Sequence, residues 1–265
     1  MFKPVLLSVF LLLNILGFAQ TNKKVDKNFH LYILMGQSNM AGRGAIEGDL
    51  INLNHSRVYM LNKDGEWQLA KNPVHFDKPS VAGVGPGLSF GIEMAKADSN
   101  IRIGLIPCAV GGTAIEKWQE NTFDEATKTH PYDDAVKRIN NAMQYGVVKG
   151  MLWHQGESNS GTKNPENHAE KLDALITKIR TLTKNKKLPV VVGELGQFSN
   201  KYANFNQTVI PAIIAKVPYT ILATSENLTD KGDHTHFDGP SANEYGKRFA
   251  LKMQELQKIK SGNSK

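Results

Sequence analysis

The chain has 265 residues, a formal net charge of +7 and a single cysteine, Cys108. One cysteine excludes an internal disulfide framework, and its place in an apolar run reads as a buried structural thiol. The basic excess sits on scattered lysines such as Lys184, Lys186 and Lys187 without interleaved aromatic rings, which describes a solvated face and excludes a nucleic-acid groove.

At the amino end, Met1-Phe2-Lys3 is a positive start, residues 5–13 are apolar, and Gly17 and Ala19 place small residues where a signal peptidase reads. The pattern predicts a signal peptide over 1–19, a mature chain over 20–265, and a secreted or periplasmic location. Asn14 and Gly17 interrupt an apolar run that is short for a span, so no stable membrane insertion is expected after cleavage. Residue 20 is glutamine, which cannot accept a lipid as cysteine would. No Pro/Ser-rich linker or repeat divides the remainder, and the only biased stretch is the Lys-rich 258–265. The length suits one α/β domain with a full core.

Short runs that are apolar on both faces, at 31–35, 101–107, 147–154, 188–195 and 219–223, predict parallel strands covered on both sides. Helical periodicity fills 87–97, 133–145, 165–183 and 241–257, and Asn164 before Pro165 supplies a cap and a first-turn proline. Alternation of this kind predicts a doubly wound α/β sheet whose sites gather beyond the carboxyl ends of the strands.

Two motifs carry chemistry. Gly36-Gln37-Ser38-Asn39 follows the first strand, and Asp233-His234-Thr235-His236 lies near the carboxyl end. A serine hydroxyl is unreactive near neutral pH without a base in hydrogen-bond reach, and the base needs an orienting group. One loop can hold both Asp233 and His236, which points to a serine hydrolase with Ser38 as nucleophile. Gly87-Leu88-Ser89-Phe90-Gly91 also fits G-x-S-x-G, a motif that requires a strand before the serine. Gly83-Val84-Gly85-Pro86 is no strand, and Leu88, Ile92 and Ala95 place Ser89 on a helix as a small packing residue.

Attack on an ester creates an oxyanion that needs preset donors. The N–H of Ser38, an N–H of the Gly111-Gly112 loop (Gly112 ahead of Gly111) and the Gln155 amide are suitable, and glycine lets backbone approach a substrate closely. A plain strand-to-helix turn is the alternative for the two glycines. Glu157 is open between orienting His236, binding a substrate hydroxyl, and pairing with Arg43 to brace the first loop. Arg43 reads as an anchor ahead of a carboxylate reader. His154, Trp118 and Trp153 read as core, although an aromatic beside a pocket can stack on a pyranose. Asp233, His234, His236 and Asp238 invite a zinc reading, but one tight loop would have to supply every ligand. No metal and no cofactor are expected.

Gly-Gln-Ser-Asn-Met-x-Gly-Arg at 36–43 resembles the first signature of the SGNH (GDSL-type) hydrolases. The likeness is to the branch containing sialate O-acetylesterases and the acetylxylan esterases of carbohydrate esterase family six. It continues in order through Gly83-Val84-Gly85-Pro86-Gly87, Ala109-Val110-Gly111-Gly112-Thr113 with Trp118, Trp153-His154-Gln155-Gly156-Glu157-Ser158, and Asp233-His234-Thr235-His236-Phe237. The resemblance implies a three-layer α/β/α sandwich with a central parallel sheet. It also implies Ser38 as nucleophile, His236 as base, Asp233 as orienting acid, and no metal. Gln155 stands where the wider group has asparagine. The expected activity is removal of O-acetyl groups from carbohydrates through an acetyl-enzyme. A lipid or thioester hydrolase and a non-catalytic carbohydrate-binding domain are the competing readings. The intact Ser38, Asp233 and His236 speak against the last. The oligomeric state is left open by these motifs.

Overall fold

The computed structural model describes residues 25–262, so the expected signal peptide lies outside the described residues. Seven strands, β1 (Phe29–Gly36), β2 (Val58–Leu61), β3 (Trp67–Leu69), β4 (Arg102–Pro107), β5 (Val147–His154), β6 (Val190–Gly193) and β7 (Thr220–Ala223), form one sheet in the order β3-β2-β4-β1-β5-β6-β7. Every neighbouring pair is parallel except β2 with the edge strand β3. The helices are α1 (Ser38–Ala41), α2 (Gly87–Ala97), α3 (Pro131–Ala142), α4 (Pro165–Leu182), α5 (Ile210–Lys216) and α6 (Gly239–Gly262).

Alternation along the central strand builds both cores. Leu31, Ile33 and Met35 of β1 face a cluster with Ile139 of α3, Leu172 and Ile176 of α4, and Ile213 of α5. Tyr32 and Leu34 face the other side, against Leu88 of α2 and Tyr245, Phe249 and Met253 of α6. All five β1 side chains are fully buried, and each such side chain contributes roughly 1.5–3 kcal/mol of burial free energy. The result is the three-layer α/β/α sandwich, with α2 and α6 on one face and α3, α4 and α5 on the other.

All five expected strands and all four expected helices are present. β2 and β3 add to them: β2 has only four residues, and β3 is a half-exposed edge of three. The helix expected at 133–145 begins earlier, at Pro131, and ends at Ala142. Asn164 caps α4 by accepting the N–H of Asn167 at 3.0 Å. α5 was not expected, because a π-turn at Phe205–Val209 feeds it and blurs the helical period.

Ser89 lies buried in α2 and its hydroxyl donates to the Asn243 carbonyl of α6 at 2.6 Å. This is the packing role expected of it. Cys108 is fully buried and burial pushes its thiol up to about 12. No described helix is long and apolar enough to cross a membrane.

The centre of the sheet makes one demand on sequence. Gly36 closes β1 at φ +133°, and a Cβ there would collide with the His154 backbone carbonyl at the end of β5. Gly36→Ala should lower unfolding free energy by at least about 3 kcal/mol, since strain and collision act together. Urea denaturation measures this, and a variant as stable as the parent would show that β1 and β5 can separate freely.

Candidate active site

Loops from the carboxyl ends of the strands meet in a cleft of about 530 Å³. Gly36 turns the chain out of β1, Gln37 N–H donates to the His154 carbonyl at 2.9 Å, and Ser38 becomes the first residue of α1. First-turn N–H groups have no partner inside their own helix, and no hydrogen bond engages that of Ser38 among the described residues.

The loop between β7 and α6 brings the second motif over this serine. His236 Nε2 lies 2.9 Å from Ser38 Oγ, and His236 Nδ1 lies 2.8 Å from Asp233 Oδ2. The other carboxylate oxygen accepts the N–H groups of Thr235 at 3.0 Å and His236 at 2.8 Å. Burial works to raise the Asp233 pKa, but hydrogen bonds from the His236 ring and from those two N–H groups outweigh it, and the carboxyl sits at about 2. With Asp233 ionised, Nδ1 carries the ring proton and Nε2 presents its lone pair to the serine hydroxyl. His234 takes φ +53° to complete the turn.

The glycine loop after β4 separates its two members. Gly111 N–H donates to Asp77 Oδ2 at 2.8 Å, whereas no hydrogen bond engages Gly112 N–H among the described residues. Gly112 adopts φ +89°, and a Cβ there would have no neighbour closer than Lys78 Nζ at 3.9 Å. Gly112 therefore opens onto the cleft with its donor unspent.

Gln155 is placed differently from the expectation that its amide faces an oxyanion. It is buried, and Nε2 donates to Asn159 Oδ1 at 2.6 Å, Gln37 Oε1 at 3.2 Å and the Thr113 carbonyl at 3.3 Å. Gly156 follows at φ +154°, where a Cβ would collide with the Phe205 ring. Gln37 borders the cleft instead, its carbonyl oxygen held by Gln155 Nε2 and the Ser158 N–H.

Of the roles left open for Glu157, the brace to Arg43 does not form. Arg43 pairs with Asp77 at 2.7 Å, with both side chains buried, and donates to the Gly42 carbonyl at 2.7 Å. Burial works to raise the Asp77 pKa, but the Arg43 hydrogen bond and charge hold it below the usual value. The anchoring role read for Arg43 fits this geometry, with an unforeseen partner. Asp77 lies in a loop without periodicity, so nothing in the spacing marked it. Glu157 touches neither Arg43 nor His236; Asn39 Nδ2 donates to its Oε1 at 2.6 Å. Tyr202 and Lys201, from the segment after β6, also border the cleft and carried no motif.

Trp118 and Trp153 pack edge to face at 5.5 Å in the core, well away from any platform role. The side chains of the suspected zinc cluster diverge: His234 lies 3.5 Å from Asp230, and Asp238 caps α6 by accepting the Ser241 N–H at 2.7 Å. A second hollow of about 600 Å³ at the amino end of the sheet, lined by Phe29, Tyr59, Trp67 and Arg102, contains no serine or histidine.

A mostly parallel sheet covered by helices on both faces, with Ser38, His236 and Asp233 brought together beyond its carboxyl edge, is an SGNH-type hydrolase fold. Residues 28–255 match the family described as carbohydrate esterase, sialic acid-specific acetylesterase, and the chain belongs to that family. It is similar to the Arabidopsis thaliana protein named "Probable carbohydrate esterase At4g34215", with 34% identity over 61% of this chain and 66% of that protein. The crystal structure of the Arabidopsis protein superposes with a TM-score of 0.73 at 28% identity, covering 87% of this chain and 99% of that one. The fold is shared with NanS at a TM-score of 0.67 and 16% identity, covering 89% of this chain and all (100%) of that one. It is also shared with a carbohydrate acetylesterase from Xanthomonas citri at 0.65 and 20%, covering 85% and 56%.

The Asp233 carboxyl has a folded-state pKa of about 2 against an ordinary value of 3.8. A depressed carboxyl stabilises the fold fully above its unfolded value, and the contribution disappears as pH falls through the folded one. Urea midpoints should therefore drop between about pH 4 and pH 2, and less steeply in Asp233→Asn. Equal slopes for the two proteins would show that the Asp233–His236 contact does not persist in solution.

Proposed function

We propose that this chain is an exported serine esterase that removes O-acetyl groups from carbohydrates. The observation that carries the reading is the hydrogen-bonded line from Ser38 Oγ through His236 to Asp233, beside the unspent N–H groups of Ser38 and Gly112. Ser38 attacks the acetyl carbonyl as its proton passes to His236 Nε2, and Asp233 stabilises the imidazolium. The tetrahedral oxyanion is held by the Ser38 and Gly112 N–H groups, each of which is worth roughly 3 kcal/mol of barrier. Collapse expels the sugar alcohol with the proton from His236, and water activated by the same imidazole hydrolyses the acetyl-enzyme. In this reading Gln155 supports the hole by holding Gln37 and the Thr113 carbonyl, and Gly111 supports it through Asp77.

Polar and charged side chains border the cleft, among them Lys78, Glu157, Ser158 and Lys231. Such a border suits a hydroxyl-rich leaving group and offers no long apolar trough for a lipid chain. Family membership supports the same substrate class. Export rests on residues 1–19, whose basic start, apolar run and Gly17-Phe18-Ala19 suit a cleaved leader, leaving the mature chain from residue 20 as one esterase domain.

Ser38→Ala should abolish acetate release from a small acetyl ester and from acetylated glycans while leaving thermal unfolding nearly unchanged. Ser89→Ala should keep most of the activity, because that hydroxyl serves α2–α6 packing. The opposite pattern, with Ser89→Ala inactive and Ser38→Ala active, would overturn the assignment of the nucleophile.

A further inference from the structure

Asn39 follows the serine directly, is buried, and reaches across 198 positions of sequence to the loop that carries His236. Its Oδ1 accepts the Phe237 N–H at 3.1 Å, and its Nδ2 donates to the Thr235 carbonyl at 2.9 Å. The two bonds fall on the residues immediately before and after His236. The same Nδ2 donates to Glu157 Oε1 at 2.6 Å, and the Glu157 side chain is only 4% exposed.

We propose that Asn39 is a positioning residue that clamps the His236 segment onto Ser38, and that Glu157 acts through it by fixing which end of its amide is the donor. The inference rests on the reading of Ser38 as nucleophile and His236 as base. Asp233 cannot do this job alone, because it belongs to the same short loop and moves with it. Its bonds fix the shape of the loop and not its distance from Ser38. Gly44 and Ala45 pack against Asp238 and Gly239 beyond the histidine, but the hydrogen bonds that cross between the two loops at His236 itself are the hydroxyl–imidazole contact and the Asn39 bonds, and the Asn39 bonds grip the backbone at two points. A carboxamide has nearly the same shape with its oxygen and nitrogen exchanged, so orientation must come from its partners. A flipped amide would set its NH₂ against the Phe237 N–H and its oxygen against both the Thr235 carbonyl and the Glu157 carboxylate. Glu157 therefore adds a carboxylate to the two backbone groups that disfavour the flipped state and deepens the preference for the observed one. His154 Nδ1 lies 3.7 Å from the same carboxylate oxygen that Asn39 engages.

A misplacement of about 1 Å between nucleophile and base can cost roughly 100-fold in rate. Asn39→Ala should therefore lower kcat on a small acetyl ester by roughly 100-fold, with KM within about 2-fold of the parent. Covalent labelling of Ser38 by a fluorophosphonate should slow in step. Glu157→Ala should lose roughly 10-fold, whereas Glu157→Gln, which keeps an acceptor facing Asn39, should retain most of the rate. Because Glu157 works through Asn39, the double substitution to alanine should be no slower than Asn39→Ala alone. Losses that multiply, or an Asn39→Ala protein with parental kcat, would overturn the clamp. If Asn39→Ala fails to fold, the Glu157→Ala and Glu157→Gln pair decides: equal rates for the two refute the orienting role. A parent protein that neither releases acetate nor takes the label refutes the esterase reading and the clamp together. An active parent with an unimpaired Asn39→Ala refutes the clamp alone.

Discussion

Gly36 runs so close to the end of β5 that no side chain fits between it and the His154 carbonyl, and that contact sets the spacing of everything above the sheet. β1 and β5 are the central neighbours of a parallel sheet, so the chain leaves both strands on the same edge. The Ser38 turn leaves one strand and the Gln155–Glu157 turn leaves the other, with Gln37 N–H bonded to the His154 carbonyl where they part. Ser38, Asn39, Gln155 and Glu157 are consequently held side by side by backbone geometry. The sandwich needs hydrophobic burial on both faces to hold this pair of strands, and the alternating apolar residues of β1 supply both cores.

Two carboxylate contacts serve the cleft in different ways. Arg43–Asp77 is buried on both sides, and Asp77 also takes the Gly111 N–H, so the first loop, the 77 loop and the glycine loop form one unit. Removing one partner of such a pair leaves an uncompensated buried charge, which typically costs about 3–5 kcal/mol. Asp233–His236 is more exposed, with side-chain accessibilities of 37% and 23%. It orients the ring and holds its tautomer, and solvent screening makes its contribution to stability smaller than that of the buried pair. The cleft thus has one rigid wall built on buried charge and one wall that is a surface loop pinned at Asn39. Lys231, 3.6 Å from Asp233 Oδ2, adds a cation to the exposed wall.

The fold was legible wherever burial is two-sided. Strands such as Ile103–Pro107 and Val190–Val192 are apolar throughout because helices cover both faces, and that pattern survives without any partner in view. β2 and β3 were illegible because they are short: β3 is a half-exposed edge strand of three residues, and β2 has only four. The boundary of α3 shifted because Pro131 is an acceptable first-turn residue, which the apolar period alone does not register. Ser89 illustrates the value of asking what precedes a motif. Without a strand before it, the G-x-S-x-G pattern described a helix surface, and its hydroxyl is spent on α6.

The sequence by itself determined the chemistry available: a hydroxyl after an apolar strand, a carboxylate and imidazole three residues apart, and glycines at the turns after the strands. These are local properties, set by residue type and short spacing. Tertiary structure decided the partners. Arg43 met Asp77 and left Glu157 free for Asn39. Gly111 lost its N–H to that same aspartate while Gly112 kept its own. Gln155 turned inward to Asn159 while its neighbouring loops took the cleft. Each choice depends on which groups from distant segments arrive within about 3 Å, where a hydrogen bond forms or fails over a few tenths of an ångström. Side-chain polarity is written in the chain, but the competition among acceptors for one donor is resolved only when the loops are folded against each other.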